Sequence, residues 1–506
     1  LDLGITLSFW LLAVGIGSAV AKNIRNPRAL GFTVVATGLL SQPLLSAISF
    51  LRPLLSLERG EIVPLGMTVI ATALLLAPAC VLIGMQFPLA VRTLGGNATR
   101  VFLLEASGAC LGGAAFTFLV AGRAGASPVL AAVSMVSLAL GALLLRTRAL
   151  ALLLVVPLLV SAGFSRVLPV LIEEDATLIS RTESRYGTIE VLRTRGQFNV
   201  FAAGKFQYSY PDQQSDEVKA HLPVTLHPDP RRVLIAGGSP GVAHEILKYP
   251  GTSIDYIELD PVLLRISLSL VTPGGRGAPI DGRLHMLTDD ARRYIKNLQG
   301  PRYDLVVLNL PEPSTANLNR LYTVEFFREA RRVLNADGVI SLTLPASFGY
   351  VGKRMRTANG SIAASLKAVF RNVVLSSEEY GVLAASDGPI ETAPALLQRR
   401  MRERDVSMEY LDPYLLDDAF DPLKVEQHRA RLAAVTELNT DARPAAYLYG
   451  LLVWADMQKS GVVQTFADHG LTVVMGALVV LAAAGCIVRK RRQAVAYSVF
   501  LAGSAS

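Results

Sequence analysis

Four polar clusters in the middle of this chain have the residue types and spacing to hold a small ligand, and each closes an apolar run. Gly237-Gly238-Ser239-Pro240-Gly241 follows the first run, RRVLIA. Glycines there let the backbone approach a ligand closely, although a tight turn needs the same residues. Glu258 closes the second run about twenty residues further on, where a carboxylate accepts hydrogen bonds from ribose hydroxyls. It could equally cap a helix opening at Pro261, as could Asp260. Asp289-Asp290 closes the third run, and an acid there can accept from an adenine amino group or cap the helix that follows. Asn309-Leu-Pro-Glu312-Pro313 closes the fourth. A base for amine chemistry would sit there, yet an asparagine amide cannot take up a proton. The four together point to an adenosyl ligand rather than a dinucleotide.

The elements that must position these clusters alternate. From residue 231 the runs RRVLIAGG, SIDYIELD, RLHMLTDD, YDLVVLNLP and DGVISLTLP read as buried strands, each followed by a helical pattern. Such alternation predicts a doubly wound α/β sheet with ligands at the carboxyl ends of the strands. RNVVLSS and YGVLAAS read as two closing strands, which suggests one antiparallel edge strand, as in methyltransferase-like sheets. Ahead of this unit, YGTIEVLRT, QFNVFAA and KFQYSY alternate and carry β-branched and aromatic residues, so a small β-unit is expected.

The rest of the chain is apolar. Of 506 residues, 51% are hydrophobic, too many for an ordinary soluble protein. They crowd into 1–172 and 444–506. Candidate membrane spans are 3–21, 29–51, 63–91, 101–121, 126–145, 149–171, 466–488 and 494–506, each near the roughly 20 apolar residues a crossing helix needs. The third holds Pro78 and Pro88 and is expected to kink or break. The stretch 444–457 is too short to cross, and Tyr447, Tyr449 and Trp454 suit an interfacial position. Glu105 lies within an apolar span, where the bland reading is a pairing with Arg100, and Gly108-x-x-x-Gly112 reads as close helix packing. Both termini fall within apolar sequence and read as truncated ends.

Basic residues set the expected orientation. Lys22, Arg25 and Arg28 follow the first span, Arg92 and Arg100 flank the third loop, and Arg146 and Arg148 make the fifth. Placing those loops, and the Arg489–Arg492 cluster, in the cytoplasm puts the middle domain on the periplasm-like side. The net charge of +8 follows largely from these flanks. No basic–aromatic motif accompanies it, so no nucleic-acid partner is expected. Cys80, Cys110 and Cys486 all lie in apolar segments, which argues against a metal site or a disulfide framework in the middle domain.

The middle domain resembles the spermidine/spermine synthase family, specifically its membrane-fused bacterial members. The resemblance covers about 185–345. It rests on Arg185-Tyr-Gly-Thr188, Glu217-Val-Lys-Ala-His-Leu-Pro223, His227-Pro-Asp-Pro230, the Gly237–Gly241 loop, Glu258-Leu-Asp260, Asp290-Ala-Arg292 and Leu321-Tyr-Thr-Val-Glu-Phe-Phe327. Ile83-Gly-Met-Gln-Phe-Pro88 and Asn439-Thr-Asp441 with Pro444 fit the same membrane-fused type. Such enzymes move an aminopropyl group from decarboxylated S-adenosylmethionine to an amine. The resemblance implies that Glu258 holds ribose and Asp290 holds adenine. It also implies losses. The loop acid is replaced by Ser239-Pro240, the catalytic base falls at Asn309, the second acid at Glu312, and a tyrosine is replaced by Ser215. Asp212 or Asp216 could help hold a cationic amine.

The expected architecture is therefore a polytopic α-helical membrane domain (1–172), a small β-unit (173–230), a Rossmann-like domain of methyltransferase or spermidine synthase type (231–443), and an interfacial segment with C-terminal membrane helices (444–506). The expected function is a catalytically degenerate domain serving a membrane assembly in the bacterial inner membrane. Its partners would be the lipid bilayer and other membrane or periplasmic subunits. The alternative is an active, divergent aminopropyltransferase using decarboxylated S-adenosylmethionine or a related adenosyl ligand.

Overall fold

The computed structural model describes residues 2–54, 65–147, 153–167, 176–271, 281–344, 352–377 and 379–457. Six helices come first: α1 (Asp2–Ala21), α2 (Ala29–Leu54), α3 (Leu65–Thr93), α4 (Ala98–Ala115), α5 (Ala126–Leu145) and α6 (Val155–Val167). Among the described residues four helical stretches are long and apolar enough to cross a membrane: Ala29–Leu51, Gly66–Thr93, Ala98–Val120, in which α4 runs on into a π-helical turn at Phe116–Val120, and Ala126–Leu145. Helix α3 continues through Pro78 and Pro88 rather than breaking at either. The sixth expected span is helical over 13 residues, and the expected spans at 466–488 and 494–506 lie outside the described residues.

Small residues and interhelical hydrogen bonds join these helices, as they must where apolar side chains meet lipid as readily as protein. Helices α1 and α3 cross with Gly17 against the Val81 backbone and Gly84 against the Val14 backbone, so neither position has room for a side chain. Gln42 on α2 donates to the Ser127 carbonyl at 2.8 Å, and Gln86 on α3 donates to Thr37 at 3.0 Å. Helix α4 buries only Val101, and Glu105 lies exposed along it.

Strands β1 (Ala176–Ser184), β2 (Gly187–Thr194), β3 (Gln197–Ala202) and β4 (Lys205–Tyr210) form an antiparallel meander. The larger unit follows as α7 (Gln213–Leu226), β5 (Arg232–Ala236), α8 (Pro240–Leu247), β6 (Ser253–Glu258), α9 (Pro261–Val271), β7 (Leu284–Thr288), α10 (Ala291–Asn297), β8 (Tyr303–Leu308), α11 (Ala316–Asn319), α12 (Val324–Val333), β9 (Leu334–Thr343), α13 (Lys353–Lys367), β10 (Asn372–Leu375) and β11 (Val382–Ser386). Helices α14 (Pro394–Arg404), α15 (Leu415–Ala419), α16 (Pro422–Ala433) and α17 (Ala445–Met457) complete it. The meander buries Ile189, Val191, Val200 and Tyr208 against Leu263 of α9.

The seven-stranded sheet runs β10-β11-β9-β8-β5-β6-β7. Both faces are covered, which is why its strands read as unbroken apolar runs. One face packs on Phe326, Phe327 and Val333 of α12 and Ile362 and Leu366 of α13. The other packs on Leu222 and Val224 of α7, Val242 and Ile246 of α8, and Leu397 of α14. Strand β11 is antiparallel to both β9 and β10, so the antiparallel strand lies one in from the edge rather than at it. Chain order reverses between β5 and β8, and the crevice at their carboxyl ends is the place such sheets bind ligands.

Candidate functional site

All four polar clusters stand at the carboxyl ends of adjacent parallel strands, in the order β8, β5, β6, β7. The glycine loop leaves β5 with φ of +60° at Gly237 and +80° at Gly238, a region that favours glycine. Ser239 then caps α8, its hydroxyl accepting from the Gly241 amide at 3.1 Å. Gly238 is also pressed against Asn309, and a Cβ there would overlap the Asn309 carbonyl.

Asn309 closes the crevice from the β8 side. It is 6% exposed. Its side-chain amide donates to the Ser239 carbonyl at 2.9 Å, so it braces the glycine loop. A carboxylate at that position would set two acceptors against each other. The loop beyond is shaped by Tyr322, whose hydroxyl reaches the Leu310 and Pro311 carbonyls. Glu312 stands in it half-buried, its carboxyl raised above the usual range by burial.

Tyr322 is itself held from below. Buried Asn439 donates to the Tyr322 carbonyl at 2.9 Å and accepts from the Ala446 amide at 3.2 Å. Asp441 accepts from Thr323 and pairs with Arg292, which also pairs with Glu329. The Asn439-Thr-Asp441 motif is thus a buttress under the β8 loop. Helix α17, which follows it, sends Ala446 into the domain core.

On the other side of β5, Glu258 faces the glycine loop, one carboxylate oxygen lying 3.7 Å from where a Gly237 Cβ would stand. Its other oxygen accepts from the Asp260 amide at 3.0 Å. Burial pushes the Glu258 carboxyl up to about 7, and the Asp260 and Leu259 amides only partly oppose it. Tyr256, two residues earlier on β6, donates to the Gly238 carbonyl at 2.7 Å.

Asp290 is less free. It caps α10 by accepting from the Arg293 amide at 2.9 Å, and its other oxygen meets the Arg320 guanidinium. Burial opposes its charge, but Arg320 and the amides outweigh burial and hold it below the ordinary range. Asp289 accepts from Arg293. Both acids serve as caps and ion pairs here, the bland reading of that cluster.

Sequence reasoning gave too little weight to Asp216. This residue of α7 is 4% exposed. Burial pushes it up to about 7, while the Ser239 side chain pulls it down and Asp212 pushes it further up. Its carboxylate lies where a Gly241 Cβ would stand, directly against the loop that lacks an acid of its own. The groove lined by Met408, Tyr410, Leu411 and Pro413 draws on none of these clusters.

Fold and site together define a Rossmann-like α/β domain joined to membrane-type helices. A model of the spermine/spermidine synthase domain matches residues 213–366. The chain is 30% identical over 223 residues to a polyamine aminopropyltransferase of Pyrobaculum calidifontis, covering 40% of this chain and 74% of that protein. It is 25% identical over 494 residues to polyamine aminopropyltransferase 1 of Streptomyces coelicolor, covering 88% of this chain and 86% of that one. A solved spermidine synthase in complex with the transition-state analogue AdoDATO aligns at 20% identity with a TM-score of 0.43, covering 50% of this chain and 88% of that chain. The chain spans 62% and 65% of the length of two further polyamine aminopropyltransferases, from Corynebacterium efficiens and Aeropyrum pernix. This chain belongs to the polyamine aminopropyltransferase family.

Proposed function

We propose that this chain is a membrane-fused aminopropyltransferase relative that binds an adenosyl ligand without transferring its aminopropyl group, and that it serves as an accessory part of a membrane assembly. The observation that carries this reading is the Asn309 amide, spent on the Ser239 carbonyl at 2.9 Å. Aminopropyl transfer requires the amine to lose a proton. Its nitrogen attacks the carbon beside the sulfonium, the carbon–sulfur bond breaks, and neutral methylthioadenosine leaves. Asn309 can neither accept that proton nor stabilise a cationic amine as a carboxylate would. The glycine loop and Glu258 meanwhile keep a place for the nucleoside. Decarboxylated S-adenosylmethionine or a related adenosyl compound is the ligand this half-site would take.

The domain faces the periplasmic side of a bacterial inner membrane in this reading. The support is the alternation of basic loops at 22–28, 92–100 and 146–148. The lipid bilayer and other membrane or periplasmic subunits are its partners. Labelling of Ser215→Cys in intact cells by an impermeant thiol reagent tests the placement, and protection from the reagent refutes it.

A second reading is favoured by Glu312 and Asp216, whose carboxyls burial raises above the ordinary range, that of Asp216 to about 7. Either could accept the amine's proton, which would make the chain an active, divergent aminopropyltransferase like its named relatives. The detergent-purified protein, given decarboxylated S-adenosylmethionine and putrescine, separates the two. We expect calorimetric binding of methylthioadenosine but no product formation. Aminopropylated product released together with methylthioadenosine would sink the first reading and establish the second.

A further inference from the structure

Two neighbouring acids on α7 have opposite surroundings. Asp216 and Glu217 are 4% and 0% exposed. Glu217 accepts from Gln213 and from the backbone amides of Glu409, Tyr410 and Leu411, all between 2.6 and 2.8 Å. These bonds hold its carboxyl below the ordinary range even though burial, the largest influence, opposes them. Asp216 Oδ1, shielded from solvent, has no hydrogen-bond partner. Its other oxygen lies against Gly241 at the first turn of α8.

A buried carboxylate oxygen without a donor is unfavourable and demands an explanation. Asp212 and Lys219 act on this carboxylate through their charges. The tyrosines Tyr208 and Tyr256 feel it together with Glu258, and Tyr210 feels it together with Glu245. None of them donates to Oδ1. Two buried carboxyls therefore flank the glycine loop, Glu258 beside Gly237 and Asp216 beside Gly241. If ribose occupies the first, the substituent on the sugar crosses the loop toward the second.

We propose that Asp216 is a specificity-determining residue of this site, selecting adenosyl ligands that carry a cationic sulfonium or ammonium centre over neutral thioethers. The inference rests on the adenosyl-binding reading above. An ammonium supplies the hydrogen-bond donor that Oδ1 lacks and a sulfonium supplies positive charge, and a charge-assisted contact outweighs one made by a neutral group. The acid missing from the loop at Ser239-Pro240 would thus be supplied from α7. A trapped water could satisfy the same oxygen, and such a site would show no charge preference.

The test titrates the full chain in detergent with methylthioadenosine, which is neutral, and with decarboxylated S-adenosylmethionine, which is cationic. The wild-type chain should prefer the cationic ligand by about 10- to 100-fold, the range of one hydrogen bond to a charged group. Asp216→Asn should abolish that preference while leaving methylthioadenosine affinity unchanged, which also reports that the variant is folded. Adding Ser239→Asp to that variant should restore part of the preference by returning an acid to the loop. Equal affinities in the wild type, or a preference that survives Asp216→Asn, would overturn the proposal while leaving the adenosyl reading intact. Should neither ligand bind the wild type, the adenosyl reading falls first and takes this proposal with it.

Discussion

The two sides of β5 use their polar groups differently. On the β8 side most polar groups near the crevice, Glu312 apart, are bonded to the protein itself: Asn309 to Ser239, Tyr322 to the 310–311 carbonyls, Asn439 to Tyr322 and Ala446, and Asp441 to Arg292 and Thr323. On the β6 side Glu258 is buried against two backbone donors, Leu259 and Asp260, and across the glycine loop Asp216 of α7 keeps one oxygen free. Saturated groups hold a scaffold in place, whereas buried groups with spare capacity cost stability until a ligand completes them. In the proposed reading, the side that would carry out transfer serves as architecture, and the side that would hold the nucleoside keeps its capacity for a ligand.

The sharpest way to break this comparison is to remove the buttress. Asn439→Ala leaves the Tyr322 carbonyl and the Ala446 amide unpaired in a buried place. At about 1–3 kcal/mol for each orphaned group, the variant should lose about 4 kcal/mol, read as a fall in the thermal unfolding midpoint of the detergent-solubilised chain. A change below about 1 kcal/mol would mean that the β8 loop does not depend on this motif.

Glu258 should behave in the opposite way. Its folded carboxyl is raised from 4.5 to about 7, so the folded chain holds that proton more tightly than the unfolded one. Its contribution is therefore fully favourable below about pH 4.5 and is lost as pH rises from there to about 7. Glu258→Gln removes that loss. Relative to wild type the variant should gain stability across this window, by about 3 kcal/mol at about 1.4 kcal/mol per unit. Parallel pH profiles for the two proteins would show that Glu258 is not buried as a free carboxyl.

Much of this contrast was readable from the residues. Apolar runs closed by Gly237-Gly238, Glu258, Asp289-Asp290 and Asn309 placed four strand ends, because buried parallel strands leave an unbroken apolar record and their turns need particular residues. The partners of those residues left none. Arg320 lies 30 positions from Asp290, and only the fold brings the two together. Asp216 sits in the polar stretch PDQQSDEVKAH, where nothing local separates a buried helix face from an exposed one. The antiparallel strand was expected at the sheet edge, but strand order is a tertiary property and β11 took the inner place. The apolar 444–457 segment, with its tyrosines and tryptophan, read as interfacial. Composition could not reveal that Ala446 joins the core beside Leu366 of α13.

Asn309 allows the comparison to be tested in the reverse sense. Asn309→Asp restores the residue type that amine chemistry needs, but it sets a carboxylate against the Ser239 carbonyl in place of a donor. The variant should be less stable by about 2 kcal/mol, the cost of a buried group left unpaired, and should form no aminopropylated product. Product formation without loss of stability would show that the brace is dispensable and that the chemistry was one substitution away.

The smallest effect is expected at Asp290, which stands on the nucleoside side yet is engaged like a scaffold residue. Its partner Arg320 has a side chain 37% exposed, so the pair is partly screened and worth less than about 1 kcal/mol. Arg320→Ala should release one Asp290 oxygen while the other still caps α10 through the Arg293 amide. If that oxygen is the one an adenine amino group would meet, methylthioadenosine should bind a few-fold more tightly to the variant, consistent with a pair of that strength. Weaker binding would mean that Arg320 positions Asp290 for the nucleoside rather than competing with it. Asp290 would then belong with Glu258, and the division between the two sides of β5 would be complete.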